Sequence, residues 1–151
     1  MKILVTGHAG FIGSNLVKRL FKEMQTGRIV GIDNLNDYYD PSLKEYRLAQ
    51  LAEAVPAGIE YRSVRGDISD RATVEKLFAE YHFDVVVNLA AQAGVRYSID
   101  NPDAYIQSNI NRLTHLTVAT EVLVAVSEGG EVLILEVHTH FKVFEWYGVV
   151  V

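Results

Sequence analysis

Val5-Thr6-Gly7-His8-Ala9-Gly10-Phe11-Ile12-Gly13 joins the apolar run Lys2-Ile3-Leu4 to a helical pattern, and this junction decides the fold. A glycine-rich turn between a strand and a helix is far more specific than three spaced glycines alone. Gly7 suits the tight turn leaving the strand. Gly10 removes the side chain where backbone would approach a pyrophosphate, and Gly13 allows the helix to pack closely. Ala9, Phe11 and Ile12 share the turn, so phosphates would sit on a helix N-terminus, where free N–H groups and the helix dipole favour negative charge.

A second strand pattern, Arg28-Ile29-Val30-Gly31-Ile32-Asp33, ends in a carboxylate twenty residues beyond Gly13. That spacing suits an acid accepting hydrogen bonds from the ribose hydroxyls of NAD. The residues that follow, Asn34-Leu35-Asn36-Asp37, include no arginine to compensate a 2′-phosphate, so NAD is expected over NADP.

The 151 residues are 49% hydrophobic with a formal charge of −5, which is enough for one good core and little more. The negative balance and the absence of a basic cluster argue against nucleic acid or an anionic membrane as partner. With no cysteine, disulfides, thiolate nucleophiles and zinc–thiolate sites are excluded. The N-terminus opens on a strand instead of a basic and then apolar leader, and no apolar run is long enough to span a bilayer, so a cytoplasmic location is expected.

Further along, Ser14 to about Met24 carries Leu16, Val17, Leu20 and Phe21 on one face and reads as the first helix. Asn34 to Pro41 reads as a loop, and Leu43, Tyr46, Leu48, Leu51 and Val55 suggest a second helix ending near Pro56. A third strand is expected over Ile59 to Arg65, then a helix over Arg71 to Tyr81 capped by Ser69 or Asp70. The run Asp84 to Ala90 reads as a strand buried on both faces. A long helix is expected over Asp103 to Ser127, a fifth strand over Val132 to Val137, and a β-rich tail over Phe141 to Val151. These elements predict a single α/β domain, a Rossmann-like doubly wound and mostly parallel sheet with an atypical β-rich C-terminal segment. Only one of the fourteen basic residues lies beyond residue 112, against five of the nineteen acidic ones, so the chain changes character there.

Two further stretches belong to the expected nucleotide edge. Gly66-Asp67-Ile68 follows the third strand and would place Asp67 and the Ile68 backbone near an adenine. Asn88-Leu89-Ala90-Ala91-Gln92-Ala93 leaves the fourth strand with small residues that let backbone pass close to a dinucleotide. Arg96, in the loop beyond, is a candidate for a sugar carboxylate or a phosphate. Glu136, His138 and His140 alternate, which describes an ordinary polar strand face, and no metal site is expected.

Together, the glycine turn, Gly31-Ile32-Asp33-Asn34-Leu35-Asn36-Asp37-Tyr38-Tyr39, Gly66-Asp67-Ile68 and Asn88-Leu89-Ala90-Ala91-Gln92-Ala93-Gly94-Val95-Arg96-Tyr97 resemble the extended short-chain dehydrogenases that act on nucleotide sugars. The UDP-glucuronate epimerase subgroup is the nearest in pattern, over about residues 1–112, with 113–151 divergent. The resemblance implies that NAD is held by Gly7, Ala9, Gly10, Phe11, Ile12 and Gly13 at the pyrophosphate and by Asp33 and Asn34 at the ribose. It also implies Asp67 and Ile68 at the adenine, and Leu89, Ala90, Ala91 and Gln92 alongside. A nucleotide sugar is the implied substrate, oxidised at C4 and reduced again from its other face.

That chemistry uses a Ser or Thr and a Tyr-x-x-x-Lys pair. Here Tyr147 is followed four places later by Val151, and Thr139 stands near the expected hydroxyl position without the serine-rich surroundings. No separate sugar-binding domain is expected. The expectation is therefore an NAD-binding domain like the N-terminal half of a nucleotide-sugar epimerase, truncated and without independent catalysis. The alternatives are an NAD-dependent nucleotide-sugar epimerase or dehydratase of reduced size, and a homo-oligomeric interaction module. A homodimer is expected through the long helix or the apolar tail.

Overall fold

The computed structural model describes residues 1–37 and 40–90, and the backbone of three strands within 122–149. The N-terminal elements are β1 (Lys2–Thr6), α1 (Phe11–Glu23), β2 (Gly27–Asp33), α2 (Pro41–Glu53), β3 (Ile59–Arg65), α3 (Arg71–Tyr81) and β4 (Val85–Asn88). Beyond them lie β5 (Val122–Val126), β6 (Val132–Val137) and β7 (Phe144–Val149). The sheet order is β3-β2-β1-β4-β5-β6-β7; the first five strands are parallel, and β6 and β7 are antiparallel to their neighbours. The mostly parallel α/β sheet expected from the sequence is present.

Strand alternation sends successive side chains to opposite faces, and two cores result. On one face Ile3, Val5, Ile29 and Ile59 pack against Val17 and Phe21 of α1 and Leu51 of α2. On the other, Leu4, Val30, Ile32 and Val86 pack against Val74, Leu77 and Phe78 of α3, together with Ile68, Tyr81 and Phe83. Helix α3 begins where Asp70 accepts from the Ala72 N–H, which selects Asp70 as the cap over Ser69. Asp40 caps α2 in the same way, through the Ser42 N–H, with Pro41 in the first turn.

The C-terminal part corrects the expected order. Residues 122–126, placed in the sequence reading within a helix reaching Ser127, form β5, in register with β4 at Val86↔Leu123, Val87↔Val124 and Asn88↔Ala125. Val122-Leu123-Val124-Ala125-Val126 is a short, continuous, β-branched apolar run. Such a composition favours a strand paired with β4 over the extension of a helix of low propensity. The strand expected fifth, Val132–Val137, is consequently the sixth. The rest of the expected long helix lies outside the described residues.

Going outward from β1, the next strand on one side is β2 and on the other β4, so the chain reverses its direction of winding there. In open parallel sheets such a reversal opens a crevice at the C-terminal ends of the strands. Thr6, Asp33 and Asn88 all end strands at that edge.

Candidate nucleotide site

Gly7 leaves β1 at φ +68°, a left-handed conformation that favours glycine. Its N–H donates to the Ile32 carbonyl at 2.8 Å. Any Cβ there would lie 2.7–2.9 Å from backbone atoms of Leu89 and Ala90, so the exits of β1 and β4 touch only because residue 7 has no side chain. Thr6 reinforces the junction: its Oγ1 accepts from the N–H groups of Leu89 and Ala90 at 3.1 and 3.2 Å and donates to Asn88 Oδ1. A Cβ on Gly13 would meet the Gly7 carbonyl oxygen at 2.3 Å, so the third glycine lets α1 close on the turn itself. Gly10 differs from both, since a Cβ there would meet only that oxygen, at 3.1 Å.

Gly10 caps α1 without a side-chain hydrogen bond, so the helix N-terminus is not closed by its own cap. Phe11 and Ile12 follow it, 71% and 58% exposed, whereas Ala9 is fully buried.

Asp33, 7% exposed, accepts from the Ala9 N–H through Oδ2 at 3.2 Å and from the Leu35 N–H through Oδ1 at 2.9 Å. One carboxylate thus ties the glycine turn to the end of β2. Lys44 Nζ stands 3.6 Å from Asp33 Oδ1 and donates to Asn36 Oδ1 at 2.7 Å; this lysine is itself buried. Sequence reading found no compensating arginine in the stretch after Asp33, but the fold brings a cation to it from eleven residues away. The signal was present: Lys44 stands four and seven places before Leu48 and Leu51, on the apolar stripe of α2, where a lysine needs a partner. One turn on, Arg47 reaches the Ala9 carbonyl at 3.4 Å, so α2 presents two cations to the turn.

Asn34 Nδ2 donates to Asp67 Oδ2 at 2.9 Å, linking the ends of β2 and β3. Asp67 Oδ1 accepts from the Ser69 N–H and hydroxyl, while the Ile68 side chain is buried in the α3 core. Gly7, Ala9, Gly10, Phe11, Ile12, Gly13, Asp33, Asn34, Asp67, Leu89 and Ala90 therefore converge on one edge of the sheet. Ala91, Gln92, Arg96 and Thr139 lie outside the described residues. Tyr147 lies in β7, opposite Ile134, three strands away from β4.

Two polar side chains under the turn, His8 and the half-buried Tyr61, were not singled out in the sequence. His8 is fully buried, with Nε2 within 2.9 Å of Ser63 Oγ. Its pKa is lowered, chiefly by burial, against opposing influences from the Ile32 carbonyl and the Asp33 charge. Burial pushes Tyr61 up to about 12. Among the described residues no cluster of His, Cys, Asp and Glu could hold a metal ion, and no helix is long and apolar enough to cross a membrane.

A family model described as the NAD dependent epimerase/dehydratase family matches residues 3–127. Protein CapI of Staphylococcus aureus is 50% identical over 110 residues, covering 73% of this chain and 31% of that protein. UDP-glucuronate 4-epimerase 3 of Arabidopsis thaliana is 46% identical over 114 residues, covering 76% and 25%. Among solved structures, the UDP-glucuronic acid 4-epimerase of Bacillus cereus, in complex with UDP-glucuronic acid and NAD, superposes with a TM-score of 0.69 at 33% identity. It covers 84% of this chain and 40% of its own. The chain thus spans a quarter to a third of the curated relatives it matches.

The family match takes in β5 and ends at residue 127. These findings correct one expectation. The main expectation, a truncated NAD-binding half without catalysis, is overturned by this match across most of the chain and by its kinship with nucleotide-sugar epimerases. The epimerase alternative is the reading these matches favour.

Proposed function

The chain belongs to the NAD dependent epimerase/dehydratase family, and from that premise we propose that it serves NAD-dependent C4 epimerisation of a nucleotide sugar of the UDP-glucuronate class. The observation that carries this reading is the meeting of the glycine turn and Asp33 beside the point where the sheet reverses its winding, with Asp67 joined to that edge through Asn34. Relatives named for UDP-glucuronate epimerisation, and the Bacillus cereus complex with NAD and UDP-glucuronic acid, support the choice of cofactor and substrate.

The residues present fit a dinucleotide. At the α1 N-terminus backbone N–H groups and the helix dipole favour a pyrophosphate, and Gly10 keeps the approach clear of side-chain atoms. A carboxylate has about four acceptor sites, and Asp33 commits them only partly to Ala9, Leu35 and Lys44, which leaves room for a ribose hydroxyl. Lys44 is held between Asp33 and Asn36, so it is engaged as their counter-ion and is a poor partner for an added 2′-phosphate. NAD is accordingly preferred over NADP. Held by the glycine turn and Asp33, NAD would supply the hydride acceptor and donor for the sugar C4.

Asn34 and Asp67 close the far end of the crevice, where the adenine is assigned. The test is incubation with NAD and UDP-glucuronate followed by chromatographic separation of the C4 epimers. Conversion is expected, with faster turnover on NAD than on NADP. No conversion while NAD binds would contradict the epimerase reading and leave the cofactor assignment standing.

A further inference from the structure

His8 stands inside the glycine-rich turn, yet its side chain turns away from the crevice and into the protein. The imidazole lies on β2 directly over Gly31, where a Cβ would meet ring atoms at 2.2–2.8 Å. Gly31 is therefore a glycine because the ring occupies its side-chain space. Ser63 is the register partner of Gly31 on β3, and its hydroxyl pairs with Nε2. Tyr61, two residues earlier on the same face, meets the ring edge-on with centroids 6.4 Å apart, and Phe21 of α1 packs edge-on against Tyr61 at 5.3 Å. One side chain of the turn is thus pinned to two strands and, through Tyr61, to a helix.

We propose that His8 is a positioning residue for the dinucleotide: its neutral imidazole holds the glycine turn on the sheet, and protonation of the ring loosens the turn and weakens cofactor binding. The charge would have little to receive it. Nδ1 is buried without a hydrogen-bond partner, as is the Tyr61 hydroxyl. From β2 the facing charge is Asp33, whose carboxylate is already shared with the Ala9 and Leu35 N–H groups and with Lys44. From β3 the facing groups are Tyr61 and Ser63. From α2 come Lys44, beside Asp33, and Arg47, at the Ala9 carbonyl, two cations that oppose a third. The Ile32 carbonyl and the Asp33 charge favour the proton, and burial outweighs both.

The direction in pH follows. The folded ring binds a proton less readily than the unfolded chain's ring at about 6.5, so the brace is fully present above that pH. It is lost as the pH falls from there through the lower folded value.

The inference rests on the NAD reading, and two measurements separate their failures. In the first, NAD titrations carried down from about pH 7.5 through the His8 ring's own titration, followed by NMR, should show affinity in the natural chain falling by up to about tenfold per pH unit below the ring's midpoint. In His8→Gln, which keeps a neutral polar side chain, that fall should disappear, whatever the affinity at neutral pH. In the second, made without NAD, amide-exchange protection of residues 7–13, corrected for intrinsic pH dependence, should drop in step with the His8 ring titration followed by NMR. A pH-independent affinity, or the same fall in His8→Gln, would overturn the proposal. So would protection that ignores the His8 titration, a test that needs no variant to fold. Absence of NAD binding at any pH, with loop protection still tracking His8, would overturn the cofactor reading and spare the brace.

Discussion

The two faces of the sheet are built on different principles. Against α3 the strands bury Leu4, Val30, Ile32 and Val86, and the helix answers with Val74, Leu77 and Phe78, so that this face is held almost wholly by apolar burial. Against α1 and α2 the N-terminal ends of the strands are equally apolar, with Ile3, Ile29 and Ile59. Toward their C-terminal ends the same face turns polar: Gly31, Asp33 and Ser63 follow in register, beneath His8 and beside Lys44. Buried polar groups are costly unless paired, and here they gather where the chain reverses its winding. The α3 face supplies stability, and the α1/α2 face spends some of it to fix a turn.

The sharpest way to break this contrast is Lys44→Met. Removing one partner of a buried ion pair leaves Asp33 uncompensated and should cost about 3–5 kcal/mol by denaturant unfolding. Replacing both partners, in Asp33→Asn with Lys44→Met, should recover much of that loss. A Lys44→Met chain as stable as the natural one would remove electrostatics from the account of this face.

On the opposite face Leu77→Ala should cost about 2–4 kcal/mol through lost burial and a residual cavity. Its effect on NAD affinity at neutral pH should be within about twofold, the equivalent of roughly 0.4 kcal/mol. A large loss of affinity would show that the two faces are not separable.

Gly31→Ala should destabilise by about 1–3 kcal/mol because its Cβ collides with the His8 ring. In a His8→Ala background the same substitution should cost less than half as much; equal costs in both backgrounds would place the ring elsewhere. Smaller again is the capping contribution of Asp70, whose carboxylate receives the Ala72 N–H and the Thr73 hydroxyl. Asp70→Ala should lower stability by less than Gly31→Ala does and leave NAD binding unchanged.

Much of the fold was legible because the N-terminal elements announce themselves locally. Ile59–Arg65 and Arg71–Tyr81 were bounded by Gly58 and by the Asp70 cap, and both stand at the residues the sequence indicated. Helix α1 was legible as an apolar stripe but starts at Phe11, three residues earlier than read, because the glycine turn feeds the helix without a spacer. Strand β5 was misread because Leu123 and Val126 also satisfy helical spacing. Its contiguous β-branched run was the better indicator, and only pairing with β4 decides between them.

In the site, the turn and Asp33 were readable since glycine spacing and a strand-terminal acid are sequence-local features. Lys44, Arg47 and the His8–Ser63 contact join residues 55 or fewer positions apart across different elements, and no local pattern specifies their meeting. Lys44 alone left a trace, a cation on an apolar stripe.

The central claim is that the turn beside Asp33 holds NAD, and Gly10→Ala tests it most directly. A methyl group at residue 10 meets only the Gly7 carbonyl oxygen, at 3.1 Å, and the backbone there, φ −68° and ψ 171°, suits alanine. Stability should therefore change by less than about 1 kcal/mol, in the range of ordinary tolerated substitutions. The same methyl would intrude where the pyrophosphate is assigned, so calorimetric titration should show saturable NAD binding to the natural chain and at least about tenfold weaker binding to Gly10→Ala, or about 1.4 kcal/mol. NAD binding of undiminished affinity in a stably folded Gly10→Ala chain would contradict the account.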